Sequence, residues 1–159
     1  ARMIGGQFNG HPWGGGGTWS FKLDDPKHIL NQAFKGSGFW LKNEIYQYKP
    51  ETYVGGDKLR VLVSLDLNTG QTMKPLNRNE GLKKQYTEGG RTVPVSWIRS
   101  FEGGRVFYTN LGHNASTYWN PAVLQHYLDG LQYALGDLTA DATPSSKITR
   151  EEVLAPPAP

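Results

Sequence analysis

The sequence has no cysteine, and this absence removes several kinds of chemistry at once. A thiol nucleophile, a thiolate zinc site and a disulfide framework are all excluded. No apolar run reaches the roughly 18 residues that predict a membrane-spanning helix. The net charge is only +3, and no cluster of basic residues is larger than the pair Lys83 and Lys84. Nucleic-acid binding normally leaves a basic patch or stripe, so we do not expect it here.

Aromatic residues and glycine are plentiful instead. Of 159 residues, 12% are aromatic and 20 are glycine, and many of the aromatic residues stand next to polar ones. This composition suits a protein that stacks on a flat or sugar-like ligand, and loop-rich packing is the other explanation. Because the first residue is Ala1, we expect the chain to be processed, trimmed or part of a longer product. Both a cytoplasmic and a secreted or periplasmic location are compatible with the sequence.

Hydrophobic patterns predict strands in the first two thirds of the chain. Thr18–Leu23 alternates apolar and polar residues, and 59–67 is almost continuously apolar, which is typical of a strand covered on both faces. The ranges 93–101 and 105–111 are separated by a tight glycine-containing turn, so they predict a hairpin. Residues 68–91 are polar and rich in glycine, and predict a loop with at most a short helical turn.

The strongest predicted helix covers residues 121–135. Asn120 is a good cap, Pro121 suits the first helical position, and Gly136 suits the end. Helical spacing puts most of the apolar side chains on one face, which we expect to pack on the sheet: Val123, Leu124, Tyr127, Leu128, Leu131, Ala134 and Leu135. His126 falls with Gln125, Asp129 and Gln132 on the polar face.

The last 21 residues, 139–159, lose all periodicity and end in Ala-Pro-Pro-Ala-Pro. This composition predicts an extended or disordered tail unless the segment docks on another element. We therefore divide the chain into a domain at 1–138 and a proline-rich tail at 139–159.

Several segments together resemble the ThuA-like family, which is associated with trehalose utilisation. The most specific is 94–136, which runs from PVSWIRSF through NLGHNASTYWNP to the end of the predicted helix. Shorter segments agree in the same order, namely IGGQF and HP near the N-terminus, NEIY at 43–46 and VLVSLD at 61–66. The resemblance extends from residue 1 to about 138.

The resemblance implies an α/β fold of the flavodoxin-like three-layer sandwich type, related to class I glutamine amidotransferases. The family domain is longer than this chain, and its N-terminal βα units have no counterpart here, so the chain would be the C-terminal part. Strands 61–67 and 105–111 should then be central. A parallel sheet without its middle strands exposes long edges, which are a liability. We therefore expect a second chain or an oligomer to cover them.

A candidate site lies where the last predicted strand meets the helix. His113 stands at that junction, where open α/β sheets place ligands, and can act as a general acid or base. The nearby amides of residues 121–123 would favour an anion or a sugar oxygen. The cysteine partner of the amidotransferase mechanism is absent. Alternatively, His113 only hydrogen-bonds its own loop.

Two further side chains complete the predicted cluster. Glu44 lies among aromatic residues, which suits an acid/base partner, and His11 precedes the stiffening Pro12. His11 would contact the substrate or a metal. A divalent metal is possible, although the spacing matches no motif. Either residue could equally be an ordinary surface residue. We predict that His11, Glu44 and His113 lie within roughly 10 Å of one another.

The resemblance implies a sugar-active enzyme for disaccharides or oxidised, keto-bearing sugars. His113 and Glu44 would be catalytic, and a further set would bind the substrate: His11, Trp13, Tyr46, Asn114 and Trp119. The ligand would be a sugar or another small molecule. The alternative is a non-catalytic structural or glycan-binding module in a larger assembly.

Overall fold

The almost uninterrupted apolar run after Leu59 forms the central strand of a five-stranded sheet. The computed structural model describes residues 1–88 and 92–159, and all six residues of this strand are buried. In the described residues the sheet has the order β2-β1-β3-β4-β5. The strands are β1 Thr18–Leu23, β2 Phe39–Lys42, β3 Arg60–Leu65, β4 Pro94–Phe101 and β5 Gly104–Thr109. Most of the apolar core packs around β1, β3 and β4.

The direction of strand pairing differs from our expectation. All four strand pairs are antiparallel, so the parallel order of a flavodoxin-like sandwich is not observed and only a mixed α/β class holds. The predicted hairpin between β4 and β5 is confirmed. Glu102 and Gly103 turn it with φ values of 49° and 81°, a left-handed geometry that suits a tight antiparallel connection.

Strand positions within the sheet are partly as predicted. β3 is central, but β5 lies at one edge, so the central position expected for 105–111 is wrong. An edge strand pairs on one side only, and β5 pairs only with β4 in the described sheet. Its other edge offers backbone donors and acceptors to a further strand.

Helices occupy part of the region that we expected to be a loop. Gly70–Asn77 forms α1 and Glu80–Thr87 forms α2, while the rest of the predicted loop at 89–91 lies outside the described residues. The Asn79 side chain caps α2 by accepting the N–H of Leu82 at 3.1 Å. Within the described residues, no helix is long and apolar enough to cross a membrane.

The third helix has the predicted bounds. Pro121–Leu135 forms α3, and the side chain of Asn120 caps it by accepting the N–H groups of Ala122 and Val123. Gly136 ends it with a φ of 97°, the left-handed conformation that glycine adopts without strain.

The face of α3 that packs on the sheet is only partly the predicted one, because Val123 and Tyr127 pack on the core but the predicted leucines do not. Val123, His126, Gly130 and Tyr133 are buried, whereas the four leucines of the other face remain 43–77% exposed: Leu124, Leu128, Leu131 and Leu135. Gly130 explains why this face packs on the sheet, because a Cβ at position 130 would lie 2.3 Å from the ring of Phe107 on β5. The helix therefore lies too close to β5 for a larger residue at this contact.

His126 is the second correction on this helix. Its ring is fully buried, not on a polar face, and both nitrogens have partners. Nε2 lies 2.8 Å from Ser96 Oγ, and Nδ1 lies 2.6 Å from the carbonyl oxygen of Leu30. Burial lowers the pKa of His126 to about 4, because the charged imidazolium loses its hydration.

The C-terminal segment is extended and docked. Arg60 on β3 donates to the carboxylate of Asp141 at 3.1 Å, and the Ser145 hydroxyl accepts the N–H of Val61 at 2.9 Å. Further along, Val153 forms an antiparallel bridge with Leu23. The segment after residue 138 thus covers the ends of β1 and β3.

Candidate functional site

Three side chains from distant parts of the sequence meet at one carboxylate. Nδ1 of His11 lies 3.4 Å from Oε2 of Glu44, and Nδ1 of His113 lies 3.5 Å from Oε1. Each histidine therefore faces a different oxygen of the same group. The predicted proximity of the three residues is confirmed, while their chemical roles stay predictions.

Glu44 lies deeper than its two neighbours. Its side chain is 14% exposed, against 53% for His11 and 48% for His113. The carboxylate therefore forms the floor of the cluster, and the two imidazole rings form its solvent-facing rim. A ligand from solvent meets the rings before it meets the carboxylate.

Backbone pairing fixes the position of two of the contributing loops. The N–H of Ile45 donates to the carbonyl of Trp13 at 2.8 Å, and the N–H of Gln47 donates to Gly10 at 2.9 Å. Because His11 lies between Gly10 and Trp13, these bonds hold it beside the segment that carries Glu44.

The third loop is attached through asparagine side chains. Oδ1 of the buried Asn43 accepts the N–H groups of Glu44, His113 and Asn114 at 3.0, 3.1 and 3.4 Å. Nδ2 of Asn114 donates to the carbonyls of Gly15 and Lys42 at 2.8 and 3.2 Å. Asn114, predicted to bind substrate, therefore uses its amide nitrogen to connect loops.

The glycine run at 14–17 allows His113 to approach the backbone closely. A Cβ at Gly15 would lie 2.8 Å from Cδ2 of His113 and 2.8 Å from Oδ1 of Asn114. Real Cβ atoms do not occur at such distances from other atoms, so a larger residue at position 15 would displace His113.

An aromatic pair borders the cluster. Phe8, which is 51% exposed, stacks on His11 with ring centroids 6.2 Å apart. It also meets Tyr46 edge-on at 4.9 Å. Tyr46 was predicted for the site, but Phe8 was missed. Its position three residues before His11 was the available signal.

The two predicted tryptophans do not join this pair. Trp13 is fully buried and its indole N–H donates to the carbonyl of Thr72 at 2.8 Å, so its faces are not open to a ligand. Trp119 is 82% exposed at the end of the short 3-10 helix Ala115–Trp119. In the described part of the chain, no ring contact connects it to His11, Glu44 or His113.

The predicted contribution of the α3 N-terminus is not available in this conformation. The side chain of Asn120 occupies the N–H groups of Ala122 and Val123, and Pro121 has no N–H to offer. The site therefore consists of side chains, not helix amides.

The described residues also give the divalent-metal expectation no support. No group of three or more histidine, aspartate or glutamate side chains among residues 1–88 and 92–159 has a spacing that would hold a metal ion.

Fold and cluster together define a mixed α/β protein with a half-exposed histidine–carboxylate–histidine site. The chain belongs to the ThuA family, described as trehalose utilisation, whose model matches residues 1–134. Neither a comparison with curated proteins nor one with solved structures gave a match. Family membership implies a role related to trehalose utilisation.

Proposed function

We propose that the cluster of His11, Glu44 and His113 binds a carbohydrate and transfers protons to or from it. The observation that supports this is the convergence of two half-exposed imidazoles on one largely buried carboxylate. Three residues this far apart in sequence meet only because three separate loops are held together. Acid/base catalysis requires such positioned groups within reach of a substrate.

Each group has a distinct part in this proposal. Glu44 orients both rings through their Nδ1 atoms, so exchange with a ligand would use Nε2, and Nε2 of His113 lies beside Gly15. One ring in its neutral form accepts a proton at Nε2 from a sugar hydroxyl or from a carbon next to a keto group, and the other ring, in its doubly protonated form, donates its Nε2 proton. Proton transfer by a positioned side chain typically contributes about 10²- to 10⁴-fold to the rate.

The aromatic pair supports a sugar as the ligand. Phe8 and Tyr46 present an apolar surface beside the polar cluster. A sugar ring has an apolar face of C–H groups and an edge of hydroxyls, so it matches this combination. Disaccharides and their keto derivatives are therefore the substrate class that we propose.

Activity on a panel of plain and keto-bearing disaccharides tests the catalytic proposal. His113→Ala and Glu44→Gln should each lower the rate about 100-fold or more, because each removes one proton-transfer or orienting group. Glu51→Gln, in an exposed loop, is the matched control and should keep the wild-type rate. Equal rates for the wild type and His113→Ala would end the catalytic proposal.

A second candidate is a non-catalytic module within a larger assembly. The specific observation is the exposed leucine face of α3, formed by Leu124, Leu128, Leu131 and Leu135. These leucines are spaced four, three and four residues apart, which is the spacing that lines the contact seam between two packed helices. We propose that a second polypeptide chain covers this face.

Light scattering coupled to size exclusion tests the assembly proposal. The isolated chain has a mass of 17.7 kDa, and an oligomer should elute at a multiple of it. Leu128→Glu together with Leu131→Glu should return the oligomer to one chain, since charge opposes burial of the seam. A wild-type protein that remains a compact monomer at all concentrations would contradict association between copies of the chain. If this monomer also binds no other chain, the assembly proposal fails.

A further inference from the structure

Asn43 connects two of the loops that form the candidate site. It follows the last residue of β2, and its side chain is fully buried. A single oxygen, Oδ1, accepts the backbone N–H groups of Glu44, His113 and Asn114. Two of these residues belong to the cluster, and they come from two different loops.

The backbone of Asn43 is itself fixed. Its N–H donates to the carbonyl of Gly17 at 3.2 Å, and its own carbonyl accepts the indole N–H of Trp19 at 2.8 Å. The side chain therefore leaves a rigid point on the sheet. We call the three hydrogen bonds that Oδ1 of Asn43 accepts the clamp. The clamp can hold two loops together only if the backbone of Asn43 does not move, and the two backbone bonds fix that backbone.

The oxygen of the Asn43 carboxamide explains the acceptor at this position, while its Nδ2 is buried without a hydrogen-bond partner in the described structure. Three N–H donors require an acceptor, so the oxygen assignment of the amide follows from the backbone. A carboxylate would also accept them, but it would place a second negative charge directly beside Glu44. Asparagine supplies the acceptor without that charge.

We infer that Asn43 is the positioning residue of the site, which holds His113 against Glu44. This inference uses the proposed function only for its catalytic consequence. His11 does not depend on the clamp, because the bonds of Asn9 and Gly10 to Gln47 hold its loop separately. Loss of the clamp should therefore free His113 and leave His11 in place.

Amide hydrogen exchange in the wild-type protein provides the first test. The N–H groups of Glu44 and His113 should be protected, as should that of Asn110, which donates to the backbone of Val95 and serves as the control. In Asn43→Ala, exchange at Glu44 and His113 should be about tenfold faster or more, with Asn110 unchanged. Unprotected Glu44 and His113 in the wild type would overturn the inference without any variant.

Nitrogen-15 spectra of the imidazole rings provide the second test, and they need no activity. In neutral rings whose Nδ1 atoms face Glu44, Nδ1 carries the proton. Asn43→Ala should remove this signature from His113 and keep it in His11. Asn43→Asp retains the acceptor but adds a negative charge beside Glu44, and it should keep the Nδ1 proton of both rings. Gly15→Ala should disturb the side chains of both His113 and Asn114, because a Cβ at position 15 would lie 2.8 Å from an atom of each, and it should keep the ring signature of His11.

The outcomes separate the two proposals. A folded Asn43→Ala protein with both ring signatures unchanged overturns the positioning role. If the ring signatures change as expected but His113→Ala has the wild-type rate on all sugars, then the catalytic proposal fails and the clamp remains. Where the site is active, Asn43→Asp should restore only part of the rate that Asn43→Ala loses, because it returns the acceptor but adds a charge beside Glu44.

Discussion

His113 and His126 differ in what surrounds their rings, and this decides what each can do. His126 is fully buried, and Ser96 and the carbonyl of Leu30 occupy both of its nitrogens. No ligand can reach it, so it ties α3 to β4 and to the short 3-10 helix Ile29–Phe34, which contains Leu30. His113 is half-exposed and lies 3.5 Å from the carboxylate of Glu44, so a ligand from solvent can reach its ring.

The buried state of His126 predicts acid sensitivity. Its pKa is about 4 in the folded protein and about 6.5 in an unfolded chain. Between these values the unfolded chain binds more protons, so acidification favours unfolding. The free energy of unfolding should fall by about 3 kcal/mol from pH 7 to pH 4 through this group. Urea unfolding at a series of pH values measures it.

His126→Gln isolates this contribution, because glutamine can still hydrogen-bond but does not titrate. Burial also lowers the pKa of His28, which adds acid sensitivity, and raises that of Asp24, which opposes it. Both groups are present in the variant as well. The variant should therefore show a clearly shallower pH dependence than the wild type. Parallel curves would contradict the assignment.

At the level of elements, α3 has two apolar faces on opposite sides. The sheet covers the one with Val123, Gly130 and Tyr133, where the missing Cβ of glycine lets the helix approach Phe107. The other face carries four leucines and remains in contact with solvent. Close approach, rather than the number of leucines, determines which face packs.

Two leucine truncations with the same chemistry test this orientation. Leu62→Ala in β3 removes a fully buried side chain and should cost about 2–5 kcal/mol of unfolding free energy. Leu128→Ala removes a side chain that is 48% exposed and should cost less than about 1 kcal/mol. Chemical denaturation of the isolated chain compares them directly. A large loss for Leu128→Ala would mean that this leucine is buried after all.

At the level of the whole molecule, the C-terminal segment packs on the sheet and supplies partners for a buried charged residue, Arg60. Arg60 is only 7% exposed and pairs with Asp25 on one side and with Asp141 on the other. The guanidinium also donates to the carbonyl of Thr143 at 3.1 Å. A buried cation needs such partners, so the tail supplies part of what Arg60 requires.

Removal of residues 139–159 should destabilise the protein strongly. Arg60 would lose two of its partners, and the N–H of Val61 would lose the hydroxyl of Ser145. We expect a loss of about 3 kcal/mol or more, measured by thermal unfolding. Removal of residues 157–159 alone is the control and should change stability by less than about 0.5 kcal/mol. Equal melting temperatures for both truncations would contradict a structural role of the tail.

Local patterns in the sequence were sufficient for much of the chain. The bounds of α3, its asparagine cap and its terminal glycine depend on residues within one or two turns, so the sequence predicts them directly. The β4–β5 hairpin follows from its short turn in the same way. The ThuA-like segments also indicated the three loops that meet at Glu44, although the sequence could not assign their chemical roles.

Other features depend on which elements become neighbours, and only the tertiary structure decided them. A period of 3.6 residues places Leu128 and His126 on different faces of α3, but it does not say which face meets the sheet. Likewise an apolar strand such as β3 can pair in either direction. Asn43 is one polar residue among many until the fold brings the backbone of His113 to its side chain. Burial and hydrogen bonding between distant segments are properties of the folded chain, because each requires a partner that no local pattern contains.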